Sequence, residues 1–148
     1  VIVDYAHNPD ALQKALRSVR LHFPSMRLHC VFGCGGDRDK SKRAIMGQIA
    51  EALADEVILT SDNPRSEKPE DILAGIESGM NAPAKRIVGR REAILKAISA
   101  AGEDDVVLVA GKGHEDYQLL RNAIVPFSDY KVIDHGLELW SPVDGKGL

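Results

Sequence analysis

Along this chain, short apolar runs alternate with stretches whose apolar residues recur at helical spacing, and polar turns separate them. Val1 to Tyr5 is a β-branched run that reads as a buried strand. Asn8-Pro9 then supplies an N-cap and a proline at the first helical position. Leu12, Ala15, Leu16, Val19 and Phe23 form the apolar stripe of that helix, and Pro24 closes it. Leu28 to Phe32 predicts a second strand, followed by a helix with Ile45, Met46, Ile49, Ala50 and Leu53 on one face. Val57 to Thr60 predicts a third strand, and Pro69 opens a helix bearing Ile72, Leu73 and Ile76. A weak strand at Arg86 to Val88 precedes a helix with Ile94, Leu95, Ile98 and Ala101. Val106 to Ala110 is the most apolar strand. Tyr117–Leu120 and Ala123–Phe127 predict a hairpin across Arg121-Asn122, and Ser128-Asp129 caps a last helix with Ile133, Leu137 and Trp140. The segment from Ser141 to Leu148 reads as a loose tail.

Strand–helix alternation of this kind predicts an α/β fold: a mostly parallel sheet with helices on both faces, plus a C-terminal antiparallel hairpin. Ligands of such sheets bind at the carboxyl ends of the strands. Four polar, Gly- or Pro-punctuated loops follow directly on strands: Asp4–Asn8, Gly33–Arg38, Asp62–Arg65 and Gly111–Glu115. Strand direction brings them to one edge.

Composition narrows the function classes. A chain of 148 residues, 44% hydrophobic and 28% charged, is long enough for one domain with a proper core. Its net charge of −3, without a basic stripe, argues against nucleic acid as a partner. No apolar run reaches membrane-spanning length. Cys30 and Cys34 are too close together to staple a fold and have no second pair for zinc, so a reduced cytoplasmic setting is the simplest reading. His7, Cys30, Cys34 and His114 have no recognisable metal-ligand spacing, which leaves no metal site and no hydrolytic triad to assign. The first residue is Val and lies inside a predicted strand, which suggests one domain of a longer protein.

The densest chemistry lies in Asp62-Asn63-Pro64-Arg65. Pro64 fixes its own φ and pushes Asn63 out of the helical region. A carboxylate, an amide and a guanidinium are thereby held side by side at a strand end. Arg takes a carboxylate bidentately and Asp takes an ammonium, so the turn can grip a small zwitterion; an Asx turn with a solvated Arg is the plainer alternative. Gly33-Cys34-Gly35-Gly36-Asp37-Arg38-Asp39-Lys40 has neither the dinucleotide-binding glycine spacing nor that of a P-loop, and offers Arg38 to an anionic group. Gly111-Lys112-Gly113-His114-Glu115 also lacks the P-loop frame; Glu115 can accept from an ammonium, and His114 is open between a structural and a chemical role. Asp4, His7 and Asn8 stand at a strand end and helix start, a natural place for ribose hydroxyls, adenine edges or a phosphate; a helix cap with a buried Tyr5 is the plainer alternative, strongest for Asn8.

Taken in order, Asp-Tyr-Ala-His-Asn-Pro-Asp (4–10), the glycine-rich 33–40 segment, Asp-Asn-Pro-Arg (62–65) and Ala-Gly-Lys-Gly-His-Glu-Asp-Tyr-Gln (110–118) closely resemble the C-terminal domain of the bacterial Mur ligases. The resemblance covers residues 1–140 and implies a Rossmann-like fold. It also implies an N-terminal UDP-binding domain and a central ATPase domain that this chain does not contain. The family makes amide bonds with ATP and Mg2+ through an acyl phosphate, in peptidoglycan synthesis. The motif at 62–65 implies the branch that adds meso-diaminopimelate to UDP-N-acetylmuramoyl-L-alanyl-D-glutamate. By position, Arg38, Asp62, Asn63, Pro64, Arg65, Gly111 and Glu115 are implied amino-acid contacts, and Asp4, His7 and Asn8 face ATP. Folate-polyglutamating ligases share the Ala-His-Asn-Pro element, so that loop reports the nucleotide. Ser61 stands where many relatives carry a second Asp. Catalytic groups, phosphate-binding Lys and metal ligands belong to the central domain, so the isolated chain is expected to be inactive and monomeric. The rival readings are a lysine-adding member of the same family and a non-catalytic binding or regulatory module derived from it.

Overall fold

The computed structural model describes residues 1–142. From 143 onward, the tail expected to be loose lies outside the described residues. Five parallel strands form one sheet in the order β1-β5-β2-β3-β4: β1 Ile2–Asp4, β2 Arg27–Phe32, β3 Glu56–Leu59, β4 Lys85–Arg86 and β5 Asp105–Ala110. Register is continuous across the centre, with Cys30 opposite Leu108 on one side and Val57 on the other. Helices α1 (Pro9–His22), α2 (Ser41–Leu53), α3 (Pro69–Glu77) and α4 (Arg90–Ala100) make the crossovers, and α5 (Asp129–Leu139) ends the fold. A separate antiparallel hairpin, β6 (Tyr117–Leu119) and β7 (Ile124–Pro126), carries the turn expected at Arg121-Asn122. No helix among the described residues is long and apolar enough to cross a membrane.

Successive strand residues point to opposite faces, and this divides the core in two. Leu28, Cys30, Phe32, Leu108 and Ala110 pack with Leu12 and Leu16 of α1, Met46 and Ala50 of α2, and Ile72, Leu73 and Ile76 of α3. Val31, Ile58, Val107 and Val109 pack with Ala93, Ile94, Ala97 and Ile98 of α4 and with Val132 and Ile133 of α5. The central strands β2 and β5 are covered on both faces, which is why they read as continuous apolar runs.

Four details differ from the sequence pattern. β1 is an edge strand with one neighbour, so it is only half buried and Val1 is 47% exposed. β4 pairs one residue earlier than expected, at Lys85 and Arg86, with Ile87 still donating its N–H to the Leu59 carbonyl. Ile45 is exposed because Met46, Gly47 and Ala50 form the inner face of α2; a Cβ on Gly47 would sit 2.1 Å from the Ile76 carbonyl oxygen. Leu137 is exposed because α5 presents Gly136 to α4, against Ile98 and Leu95.

The crossovers through α1, α2 and α3 lie on one face and α4 returns on the other. The chain leaves β2 towards the first face and β5 towards the second. Adjacent strands whose exits diverge open a crevice at their carboxyl ends.

Candidate functional site

That crevice is a cavity of about 380 Å³ lined by loops from all four major strands: Tyr5 and His7 after β1, Gly35 and Arg38 after β2, Asp62, Asn63 and Arg65 after β3, and Gly111 and Glu115 after β5. Its volume falls in the range of small-molecule pockets, roughly 300–1,000 Å³. Cys34, Asp39, Lys42 and Met46 complete the wall.

The β3 turn is the keystone. The Asn63 side-chain oxygen accepts from Lys112 Nζ at 2.7 Å and from the Leu119 N–H at 2.9 Å, while its main-chain oxygen accepts from Gly36 N at 2.8 Å. One residue thereby ties the β2 loop, the β5 loop and the hairpin together. Gly36 is pressed against the turn so closely that a Cβ there would lie 1.8 Å from the Pro64 carbonyl oxygen. Arg65 follows with φ 52°, a left-handed conformation that disfavours a side chain by about 1–2 kcal/mol. It is held there by its N–H donating to the Leu119 carbonyl at 3.0 Å and by Nη1 donating to the Gly36 carbonyl at 2.9 Å. Asp37, on the facing loop, is left-handed too (φ 56°), and its carboxylate takes the Ser66 hydroxyl at 2.6 Å. That hydroxyl and the Ser66 N–H hold the Asp37 carboxyl below the usual carboxylate range. Strained backbone concentrated on two loops around one cavity is a pattern typical of binding sites.

Lys112 is the feature that the sequence reading left without a role. Its side chain is fully buried, its ammonium donates to Asn63 Oδ1 and to the Tyr117 carbonyl at 3.0 Å, and it lies 5.7 Å from the Tyr117 ring centroid. Asp62 Oδ1 stands 3.5 Å from Nζ and Glu115 Oε1 3.6 Å. The ammonium already beside Asp62 and Glu115 is therefore the protein's own. Glu115 also accepts from the Tyr117 hydroxyl at 3.4 Å, and its charge pushes the Tyr117 pKa up. Gly111 runs at φ +118°, and a Cβ would meet Asp62 Oδ2 at 2.7 Å, so only glycine lets the β5 loop pass the carboxylate.

Below the loops, Arg90 and Asp129 form a bidentate pair, Nε and Nη2 each donating to a carboxylate oxygen at 2.8 Å with both side chains at 0% exposure. Arg90 also donates to the carbonyls of Ser61 (3.3 Å) and Ala110 (3.2 Å), the residues immediately before Asp62 and Gly111. On the β2 side, Arg43 and Glu67 pair at 2.9 Å, and Arg43 further donates to the Gly35 carbonyl at 3.1 Å. The Arg43 side-chain hydrogen bond to Glu67 is the main reason that its carboxyl lies below the usual range.

The family model described as Mur ligase, glutamate ligase domain, matches residues 1–113. The chain belongs to the Mur ligase family. Over 142 residues, this Mur ligase domain is 51% identical to UDP-N-acetylmuramoyl-L-alanyl-D-glutamate--2,6-diaminopimelate ligase of Chromobacterium violaceum, a match covering 95% of the chain and 29% of that protein. A solved structure of a ligase of the same name has a TM-score of 0.85 at 44% identity, over 92% of this chain and 28% of the other. A murein peptide ligase of Psychrobacter arcticus shares the fold, with a TM-score of 0.64 at 15% identity over 95% of this chain and 28% of that one. The chain thus spans less than a third of the length of these relatives.

The residues singled out in the sequence divide cleanly against this Mur ligase cavity. Arg38, Asp62, Asn63, Arg65, Gly111, Glu115 and His7 line it. Pro64 does not; it is buried under Gly36 and shapes the turn. Asp4 and Asn8 do not line it either. An Asp4 oxygen accepts from Ala6 N at 2.7 Å, and Asn8 Oδ1 caps α1 through Ala11 N at 2.8 Å, so both serve the loop that presents His7. Tyr5, buried in the plainer sequence reading, is 50% exposed; it stands edge-on to His7 at 4.7 Å and packs on Gly113 at the cavity rim. His114 is exposed, its ring 6.3 Å from Tyr5. Burial pushes the Cys34 thiol up to about 12, which leaves it a packing partner of Met46 Sδ at 3.6 Å rather than a nucleophile.

Proposed function

We propose that this chain is the amino-acid-binding domain of an ATP-dependent ligase that joins meso-diaminopimelate to UDP-N-acetylmuramoyl-L-alanyl-D-glutamate in peptidoglycan synthesis. One observation carries the reading. Around a single cavity, the cations Arg38 and Arg65 sit on the β2 and β3 loops, while the carboxylates Asp62 and Glu115 gather around the β5 loop. A zwitterionic amino-acid terminus has this same division of charge. The name of the 51%-identical relative supports the choice of substrate.

In this reading Arg65 and Arg38 take the distal carboxylate, the group that distinguishes diaminopimelate from lysine. Only one Arg65 nitrogen is engaged with main-chain oxygens, at Gly36 and Asn63, so the rest of the guanidinium fork faces the ligand. Asp62 and Glu115 take the distal ammonium, and the Asn63 amide, whose oxygen is committed to Lys112 and Leu119, offers its NH2. The far end of the amino acid is thereby anchored, and its other amine projects out of the cavity towards the carboxyl to be joined. Lysine would leave the half-buried Arg65 guanidinium on the cavity wall against no counter-charge, and an unsatisfied charged group of this kind discriminates by about 10-fold to 100-fold.

The bond-forming groups belong to domains outside this chain. The glutamyl carboxylate, activated by phosphate from ATP, is attacked by the amine; the new C–N bond replaces the C–O bond to phosphate, and the amine loses a proton. Tyr5 and His7 offer an aromatic face to the nucleotide when the domains close. Mg2+ and the phosphates of ATP are assigned to the central domain. A cytoplasmic monomer completes the reading.

The test is amino-acid-dependent ADP release by the full-length protein that carries this chain. Turnover with meso-diaminopimelate is expected to exceed that with lysine by about 10-fold to 100-fold in kcat/KM. Equal turnover with lysine would sink the assignment.

A further inference from the structure

A lysine with no solvent exposure, placed beside the two carboxylates assigned to the ligand's ammonium, is an unusual thing to build into an ammonium site. Lys112 competes for the same acceptors, and its burial carries a desolvation cost that must be offset by contacts. Those contacts are present: Asn63 Oδ1 at 2.7 Å, the Tyr117 carbonyl at 3.0 Å, and the two carboxylates at 3.5 and 3.6 Å. One positive charge against two negative ones leaves the cluster with a net charge of −1. Without Lys112, Asp62 and Glu115 would be like charges with no cation between them, and they would swing apart. With it, both are held in place, and together they lack one positive charge.

We infer that Lys112 is a positioning residue for amino-acid recognition: its buried ammonium holds Asp62 and Glu115 convergent on one spot at the cavity wall, which an ammonium of the incoming amino acid then fills. This rests on the proposed function and deepens it, since it says why the site requires a second ammonium on the substrate. Lys112 itself does not touch the ligand. Its reach is fixed by the hairpin, because the Tyr117 carbonyl and the Leu119 N–H engage Lys112 and its partner Asn63.

The experiment compares wild type and Lys112→Met in the full-length protein, with meso-diaminopimelate and with 2-aminopimelate, which keeps the distal carboxylate but lacks the distal ammonium. For meso-diaminopimelate, KM is expected to rise by about 10-fold or more. KM for ATP, and KM or the inhibition constant for 2-aminopimelate, are expected to stay within about twofold. Equal losses with both amino acids would make Lys112 a structural residue, and no change with either would make it irrelevant; both results overturn the inference.

If Lys112→Met does not fold, the wild-type chain is labelled with 15N-lysine and the Lys112 ammonium resonance is followed by NMR. A shift with meso-diaminopimelate and none with 2-aminopimelate supports the inference, whereas equal shifts or none overturn it. A wild-type protein indifferent to meso-diaminopimelate overturns the substrate reading and this inference with it. A wild type that uses it, beside an unaffected Lys112→Met, overturns this inference alone.

Discussion

Arg90 and Lys112 both carry fully buried cationic side chains at the carboxyl ends of the same strands, yet they are paired in opposite ways. Arg90 meets one carboxylate, Asp129, through two parallel 2.8 Å bonds, with both partners at 0% exposure. The pair is closed, neutral and away from the cavity. Lys112 meets two carboxylates at longer range, and both keep some exposure, 9% for Asp62 and 20% for Glu115. That cluster is open and short of one positive charge. A closed pair fixes where strands β3 and β5 end. An open one leaves a charge for a ligand to complete. Burial alone does not distinguish the two uses; the count of partners and their access to the cavity does.

The contrast can be broken hardest at Arg90. Arg90→Met leaves Asp129 charged and unpaired in the core, and about 3–5 kcal/mol of stability should be lost in urea unfolding. Adding Asp129→Leu should return most of it, because the closed pair is replaceable by apolar volume. If the double variant were as unstable as the single, the carbonyls of Ser61 and Ala110 would be the important partners of Arg90, not Asp129.

Arg43–Glu67 is an intermediate case, with side chains 5% and 16% exposed and a 2.9 Å contact that braces the Gly35 loop. The folded-state Glu67 pKa is depressed, chiefly by Arg43. Its contribution is therefore fully present above the unfolded value of about 4.3 and disappears as pH falls through the folded value. Glu67→Gln should cost on the order of 1 kcal/mol near neutral pH, and the two stability curves should converge in acid. Parallel curves across that range would show that Glu67 contributes by shape and not by charge.

The alternation of elements was legible because buried parallel strands must be apolar runs and their crossover helices must carry one apolar stripe. The loops of the site were legible for a related reason: a strand-end turn of Asp-Asn-Pro-Arg, or of glycines around a Lys, has a local conformational cause. Pairings across the fold had no such local trace. Lys112 finds Asn63 49 residues away, and Arg90 finds Asp129 39 residues away, and each stands among glycines and other charged residues that give no sign of its burial. Asn8 was ambiguous in principle, since a helix cap and a nucleotide contact call for the same side chain, and the geometry gives its oxygen to the cap. The edge position of β1 and the outward turn of Ile45 depend on which neighbour is missing, and no spacing along the chain encodes that.

The central claim is that the β3 turn selects the amino acid through the Arg65 guanidinium, which is tied to the main chain by one nitrogen only. It is tested most directly by measuring kcat/KM for meso-diaminopimelate and for lysine in the full-length protein, with and without Arg65→Lys. The expected result is a fall of about 10-fold to 100-fold for meso-diaminopimelate, from the lost bidentate contact, with the lysine value unmoved. Equal falls for both amino acids, or no fall for either, would contradict it.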